Sequence, residues 1–138
     1  MRIALLASGS SGNSLLVHSG STSVLVDAGI SARRLFRAVR EAGADPLAIT
    51  AVLVTHGHAD HVSGLSAFAR VPDVPVVATA GTFDEIDRHV GGGSPRRTVA
   101  AGARFDVGDL TVSVFEVSHD AAEPVGFSIS DGLHRVTV

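Results

Sequence analysis

The chain has 138 residues, 45% hydrophobic and 18% charged, a size and balance that suit one domain with a real core and exclude a disordered chain. It contains no cysteine, so disulfides and thiolate ligands are ruled out, any metal must be held by His, Asp or Glu, and a reducing cytoplasm is the expected compartment. A net charge of −3 argues against attraction to nucleic acid by bulk charge, and no apolar run approaches the length that crosses a bilayer.

Arg2–Ala7 and Ser14–His18 read as two strands joined by Ser8-Gly9-Ser10-Ser11-Gly12-Asn13. Backbone amides in such a loop can approach an oxyanion, which makes Ser8, Ser10, Ser11 and Asn13 candidates for a substrate loop. Val24-Leu25-Val26 is a third strand, ending at Asp27-Ala28-Gly29. Asp27 is either a turn cap or a support that accepts hydrogen bonds from a metal-binding loop, the reading favoured here. Ser31 offers an N-cap for a helix to about Ala42, with Gly43 as its stop. Ala32, Leu35, Val39 and Ala42 share one face of that helix. Arg33, Arg37 and Arg40 line the other, read as a solvated face rather than a phosphate contact.

Ala51–Val54 is a continuous apolar run, as expected of a strand covered on both faces. Val62–Arg70 reads as a short helix that Pro72 prevents from extending, and Pro75–Thr79 as another buried strand. Thr82 and Glu85 form a T-x-x-E capping box for a further helix, which Gly91-Gly92-Gly93 ends in a mobile loop. Past Thr98 the pattern is β. Leu110–Val117 and Val125–Ser130 alternate apolar with small or polar residues, and Asp131-Gly132 marks a hairpin into Leu133–Val138.

The chemistry is concentrated in His56-Gly57-His58-Ala59-Asp60-His61, directly after the Ala51–Val54 strand. Imidazole nitrogens and carboxylate oxygens suit a borderline cation such as zinc. His56 and His58 can turn to the same side of an extended segment and chelate one ion. Asp60 and His61, as neighbours, serve a second ion if a turn aims both at it. The first pair needs a third nitrogen, and His119, in the loop after Leu110–Val117, is the best candidate. His18, His89 and His134 are read as surface or structural residues. Two ions close together can activate a shared water and clamp both oxygens of a displacement.

An H-x-H-x-D-H motif after an apolar strand, preceded by a strand ending in Asp and followed by a distant strand-end His, resembles the metallo-β-lactamase superfamily. Ala7-Ser8-Gly9-Ser10-Ser11-Gly12-Asn13, Asp27-Ala28-Gly29-Ile30-Ser31 and His119-Asp120-Ala121-Ala122-Glu123-Pro124 resemble its YycJ/WalJ branch. The resemblance implies an α/β fold, the αββα sandwich, holding two divalent metal ions, zinc or manganese, and DNA exonuclease activity on a phosphodiester substrate. It implies that His56, His58 and His119 bind the first metal. Asp60 and His61 would bind the second, with Asp60 also the catalytic residue that orients or deprotonates the bridging water.

The family pattern continues past a strand like Leu133–Val138 to a bridging Asp and a final His, which this sequence does not reach. The expectation is therefore a C-terminally truncated domain over residues 1–138. It would hold the N-terminal half to two-thirds of the sandwich and retain one of the two ions. Asp120 and Asp131 are substitutes that no spacing supports. Two other readings stand beside the nuclease. A thioester, lactone or β-lactam hydrolase would use the same metal chemistry. A non-catalytic metal-binding fragment would hold about one ion at His56, His58 and His119.

Overall fold

The computed structural model describes residues 1–90 and 93–138. Its first sheet has six strands in sequence order: β1 (Arg2–Ala7), β2 (Ser14–Ser19), β3 (Thr22–Val26), β4 (Ala51–Leu53), β5 (Val76–Ala78) and β6 (Arg96–Thr98). The first three are antiparallel and the rest join in parallel. β3, β4 and β5 are buried at every residue, which is why they read as unbroken apolar runs. The second sheet is an antiparallel meander of β7 (Arg104–Val107), β8 (Leu110–Glu116), β9 (Val125–Ser130) and β10 (Arg135–Thr137).

Strand alternation divides the apolar residues into two layers. Leu16, Leu25, Val52 and Val54 face one side of the first sheet. There they pack against Leu35 and Val39 of α1 (Ala32–Glu41), Val62 of α2 (Ala59–Val62), and Phe83 and Ile86 of α3 (Ala80–His89). Val17, Val24, Val26, Leu53 and Val77 face the other side and meet Val112, Val114, Phe127 and Ile129 of the second sheet. The outward face of the second sheet carries Thr111, Ser113, Ser128 and Ser130, all half-buried. The described residues thus build a helix layer, a sheet and a second sheet of the expected sandwich.

Three local expectations change and one strand is added. The helix expected over Val62–Arg70 is two pieces, α2 and a 3-10 stretch at Leu65–Arg70. The break falls at Gly64, whose amide donates to Ala28 O at 2.7 Å and where a Cβ would overlap Ile30 O. α3 is capped by Thr79, whose Oγ1 accepts from Thr82 N at 3.2 Å, so Thr82 lies within the helix and Glu85 belongs to no capping box. Thr79 leaves β5 in an extended conformation, which makes Ala80 the first helical residue. Ser31 precedes α1 without a side-chain capping bond. β6 carried no periodic signal because all three of its side chains are exposed and only backbone pairing with β5 defines it. The loop expected at Gly91-Gly92-Gly93 falls, at its first two residues, outside the described residues.

Candidate metal centre

The site gathers at one end of the sandwich, where β3 ends at Asp27, β4 leads into Thr55–His61 and β8 leads to His119. Parallel strands release their loops together at their carboxyl ends, the usual place for chemistry in an open α/β sheet. Backbone bonds knit these loops. Asn13 N donates to Asp60 O, Gly29 N to Asn13 O and Ala28 N to His61 O, each at 2.8 Å. Val125 N donates to Thr55 O at 2.9 Å, which ties the second sheet to the histidine loop. Gly29 is required by this packing, since a Cβ there would overlap the Asp60 carbonyl.

His56, His58 and His119 converge, with one donor nitrogen from each within 4.8 Å of the others. Ring centroids are 4.7 Å apart for His56–His58, 4.5 Å for His56–His119 and 5.1 Å for His58–His119. Two bonds of about 2 Å span at most about 4 Å, so donors within 4.8 Å of one another need only small ring or loop movements to share a cation. His56 is 8% exposed and its Nε2 is buried without a hydrogen-bond partner. An orphaned buried nitrogen is costly unless a ligand satisfies it. Burial, followed by the neighbouring His61, His119 and His58, lowers the His56 pKa to about 4 and keeps the ring neutral, the form that binds metal.

Asp27 and Thr55 set the tautomers. Asp27 is buried in the left-handed region at φ 59° and accepts Thr55 N at 2.8 Å and Thr55 Oγ1 at 2.9 Å. The threonine proton is committed to that carboxylate, so Thr55 Oγ1 accepts from His56 Nδ1 at 3.0 Å, leaving the Nε2 lone pair turned towards His58 and His119. His61 Nδ1 donates to Asp27 Oδ2 at 2.7 Å, which likewise leaves its Nε2 as an acceptor. Burial disfavours the His61 cation, but the Asp27 hydrogen bond and charge, with Asp60 adding to them, carry its pKa above the ordinary value.

Asp60 and His61 do point the same way, their Oδ2 and Nε2 lying 3.6 Å apart. Asn13 Nδ2 sits 3.2 Å from each of those atoms. Gly9 fixes the amide's orientation, its N–H donating to Asn13 Oδ1 at 3.1 Å while its carbonyl accepts from Nδ2 at 3.1 Å. Two amide protons therefore face more acceptors than they can serve, a spot that also suits a cation. A cleft of about 420 Å³ opens beside these residues, lined by Asp27, Thr55, His56, His61, His119 and Val138 among others.

The remaining candidates separate. Ser8, Ser10 and Ser11 are exposed on the β1–β2 loop, and only Asn13 of that set turns inward to the site. His18 Nδ1 pairs with Ser23 Oγ at 2.8 Å, and His89 and His134 are exposed. Asp120 is exposed in the His119 loop, whereas Asp131 lies at the far end of β9, accepting the His134 amide at 2.7 Å. Two further residues gain a role at the site only in the fold. Thr55 sits inside the motif but its part depends on Asp27, and Glu85 was absorbed into the capping-box pattern although its carboxylate reaches Gly57 N and Ala122 N.

Residues 22–138 match the family described as Beta-lactamase superfamily domain, and the chain belongs to the metallo-β-lactamase superfamily. Within it the chain is YycJ-like. It is 34% identical over 141 residues to the Bacillus anthracis protein named Exodeoxyribonuclease YycJ, covering 100% of this chain and 53% of that one. It is 32% identical over 127 residues to Exodeoxyribonuclease WalJ of Streptococcus pneumoniae, covering 89% of this chain and 47% of the relative. The metallo-β-lactamase-fold protein YhfI of Bacillus subtilis superposes with a TM-score of 0.77 at 19% identity, over 98% of this chain and 59% of that one, and shows the shared fold. The chain spans about half the length of the curated relatives it matches. No helix among the described residues is long and apolar enough to cross a membrane.

Proposed function

We propose that this chain bears the metal-binding part of a metal-dependent phosphodiesterase, an exonuclease acting on DNA in the cytoplasm. The observation that carries the metal reading is His56 Nε2, buried and unpartnered beside His58 and His119. DNA as substrate rests on similarity to the two exodeoxyribonucleases. His56, His58 and His119 hold a first divalent ion, zinc or manganese, and Asp60 with His61 contribute to a second. A bound ion supplies Lewis acidity towards a phosphoryl oxygen and lowers the pKa of water. Asp27 holds the Nδ1 proton of His61 and, through Thr55, that of His56, so both Nε2 atoms keep their lone pairs, the one on His61 accepting from the Asn13 amide. Asp60, half-buried with its Oδ2 3.6 Å from His61 Nε2, accepts a proton from the attacking water or orients it.

For the 138-residue chain alone we infer one tightly held ion. The triad is the one group of three or more convergent metal-binding side chains among the described residues. The experiment is a zinc and manganese titration of this chain, paired with assays of the whole protein on single- and double-stranded oligonucleotides, nitrocefin and a glutathione thioester. Oligonucleotide cleavage with one ion per isolated chain is expected. No ion uptake rejects the metal site, hydrolysis of only the thioester or nitrocefin rejects the nuclease, and two equally tight ions reject the single-ion reading.

A further inference from the structure

Glu85 projects from the middle of α3 and is half-buried. Its Oε2 accepts Gly57 N at 3.1 Å and its Oε1 accepts Ala122 N at 3.1 Å. Gly57 separates His56 from His58, and Ala122 lies with His119 in the loop between β8 and β9. One carboxylate thus grips both ligand-bearing loops, one from each sheet. The approach is close enough that a Cβ on Gly57 would overlap the Glu85 side chain, so glycine at that position is part of the same arrangement. α3 is a firm base for it, with Thr82, Phe83 and Ile86 buried and Thr79 Oγ1 donating to Glu123 O at 2.9 Å.

We infer that Glu85 is a positioning residue for the histidine triad: it couples the His56–His58 loop to the His119 loop and holds the three nitrogens at ion-binding spacing. Three ligands from two separate loops bind an ion tightly only if the loops are already in place, since otherwise binding must also order them. Two charge-assisted bonds to backbone amides supply that order without occupying a ring nitrogen. The inference rests on the metal reading above and adds a residue that touches no ligand atom of the triad.

The test is cobalt binding by the whole chain, read by competition with a chromophoric chelator and by the visible absorption of the bound ion, in wild type, E85A, E85Q and D84A. Glu85→Ala is expected to weaken the first ion by about 10- to 100-fold, the range for residues that orient metal ligands. Its cobalt spectrum should also change. Glu85→Gln keeps one acceptor and sets an NH₂ against the other amide, so an intermediate loss is expected, with an altered spectrum. Asp84 is exposed on the same helix, so D84A should bind like wild type and serves as the control for α3. If E85A fails to fold, E85Q decides. Wild-type affinity and spectrum in the folded Glu85 variants would overturn the role of Glu85 alone. A wild-type chain that takes up no cobalt would overturn the metal reading and this inference with it.

Discussion

His56 and His61 belong to one short motif and their ring centroids are 4.0 Å apart, yet they meet opposite conditions. His56 is buried, neutral, and has a ring nitrogen with no partner. His61 is less buried, has its pKa raised by Asp27 and Asp60, and already shares its Nε2 with the Asn13 amide. Both rings are steered from behind by the same Asp27 carboxylate, one directly and one through Thr55. The difference lies in front. The His56 Nε2 has no partner within the protein, whereas the His61 Nε2 already has the Asn13 amide, which an ion at that position would have to displace. The expected consequence is tighter ion binding at the His56 group than at the His61 group.

Removing the third nitrogen breaks the comparison most directly. His119→Ala should weaken the first ion by roughly 100-fold or more, because two imidazoles remain where three converged. Competition with a chelator measures it, and an unchanged constant would place the ion elsewhere. Asp27→Asn tests the shared support. Asparagine tolerates the left-handed backbone, so the turn survives while the charge goes. Affinity should fall by about 10- to 100-fold. The His61 pKa, followed by NMR on metal-free protein, should drop towards its ordinary value.

Gly57→Ala probes the packing behind the triad. Its Cβ overlaps Glu85, so the metal-free protein should lose about 1 to 3 kcal/mol in urea unfolding, as overpacking does. A value near zero would mean the loop moves freely. The contrast also shows in pH dependence. The His56 pKa is lowered from 6.5 to about 4, so the unfolded chain binds more protons between those values and metal-free stability falls as pH drops through that window. His61, raised, acts in the opposite sense, stabilising at low pH and losing that contribution as pH rises through its folded pKa. The His56 shift is the larger, so melting temperature should decline on acidification from about pH 6.5, and His56→Ala should flatten the slope.

Much of this was legible along the chain because it is local. Val24–Val26, Ala51–Leu53 and Val76–Ala78 announce themselves by continuous burial, and α1 by the spacing of Leu35 and Val39. The candidate ligand pairs follow from residue type and spacing within the motif. Features that depend on contact with another element did not show. Gly64 breaks a helix because of Ala28 and Ile30, residues far back in the sequence. Thr79 takes the cap from Thr82 because of where β5 stops. Asn13, read as part of a substrate loop, turns inward because Gly9 holds its amide.

The sequence by itself determined which chemical groups are available and the local order in which they appear: H-x-H-x-D-H after a buried strand, an Asp closing an earlier strand, and no thiol. Side-chain periodicity and donor chemistry are properties of neighbouring residues and can be read from them. The tertiary structure decided which of those groups meet and in what state. His119 joins His56 and His58 only because two sheets pack face to face. The tautomers of His56 and His61 follow from one buried aspartate, and Glu85 leaves its apparent cap to grip two loops. These are contacts across long sequence separations, created by burial of the two apolar layers.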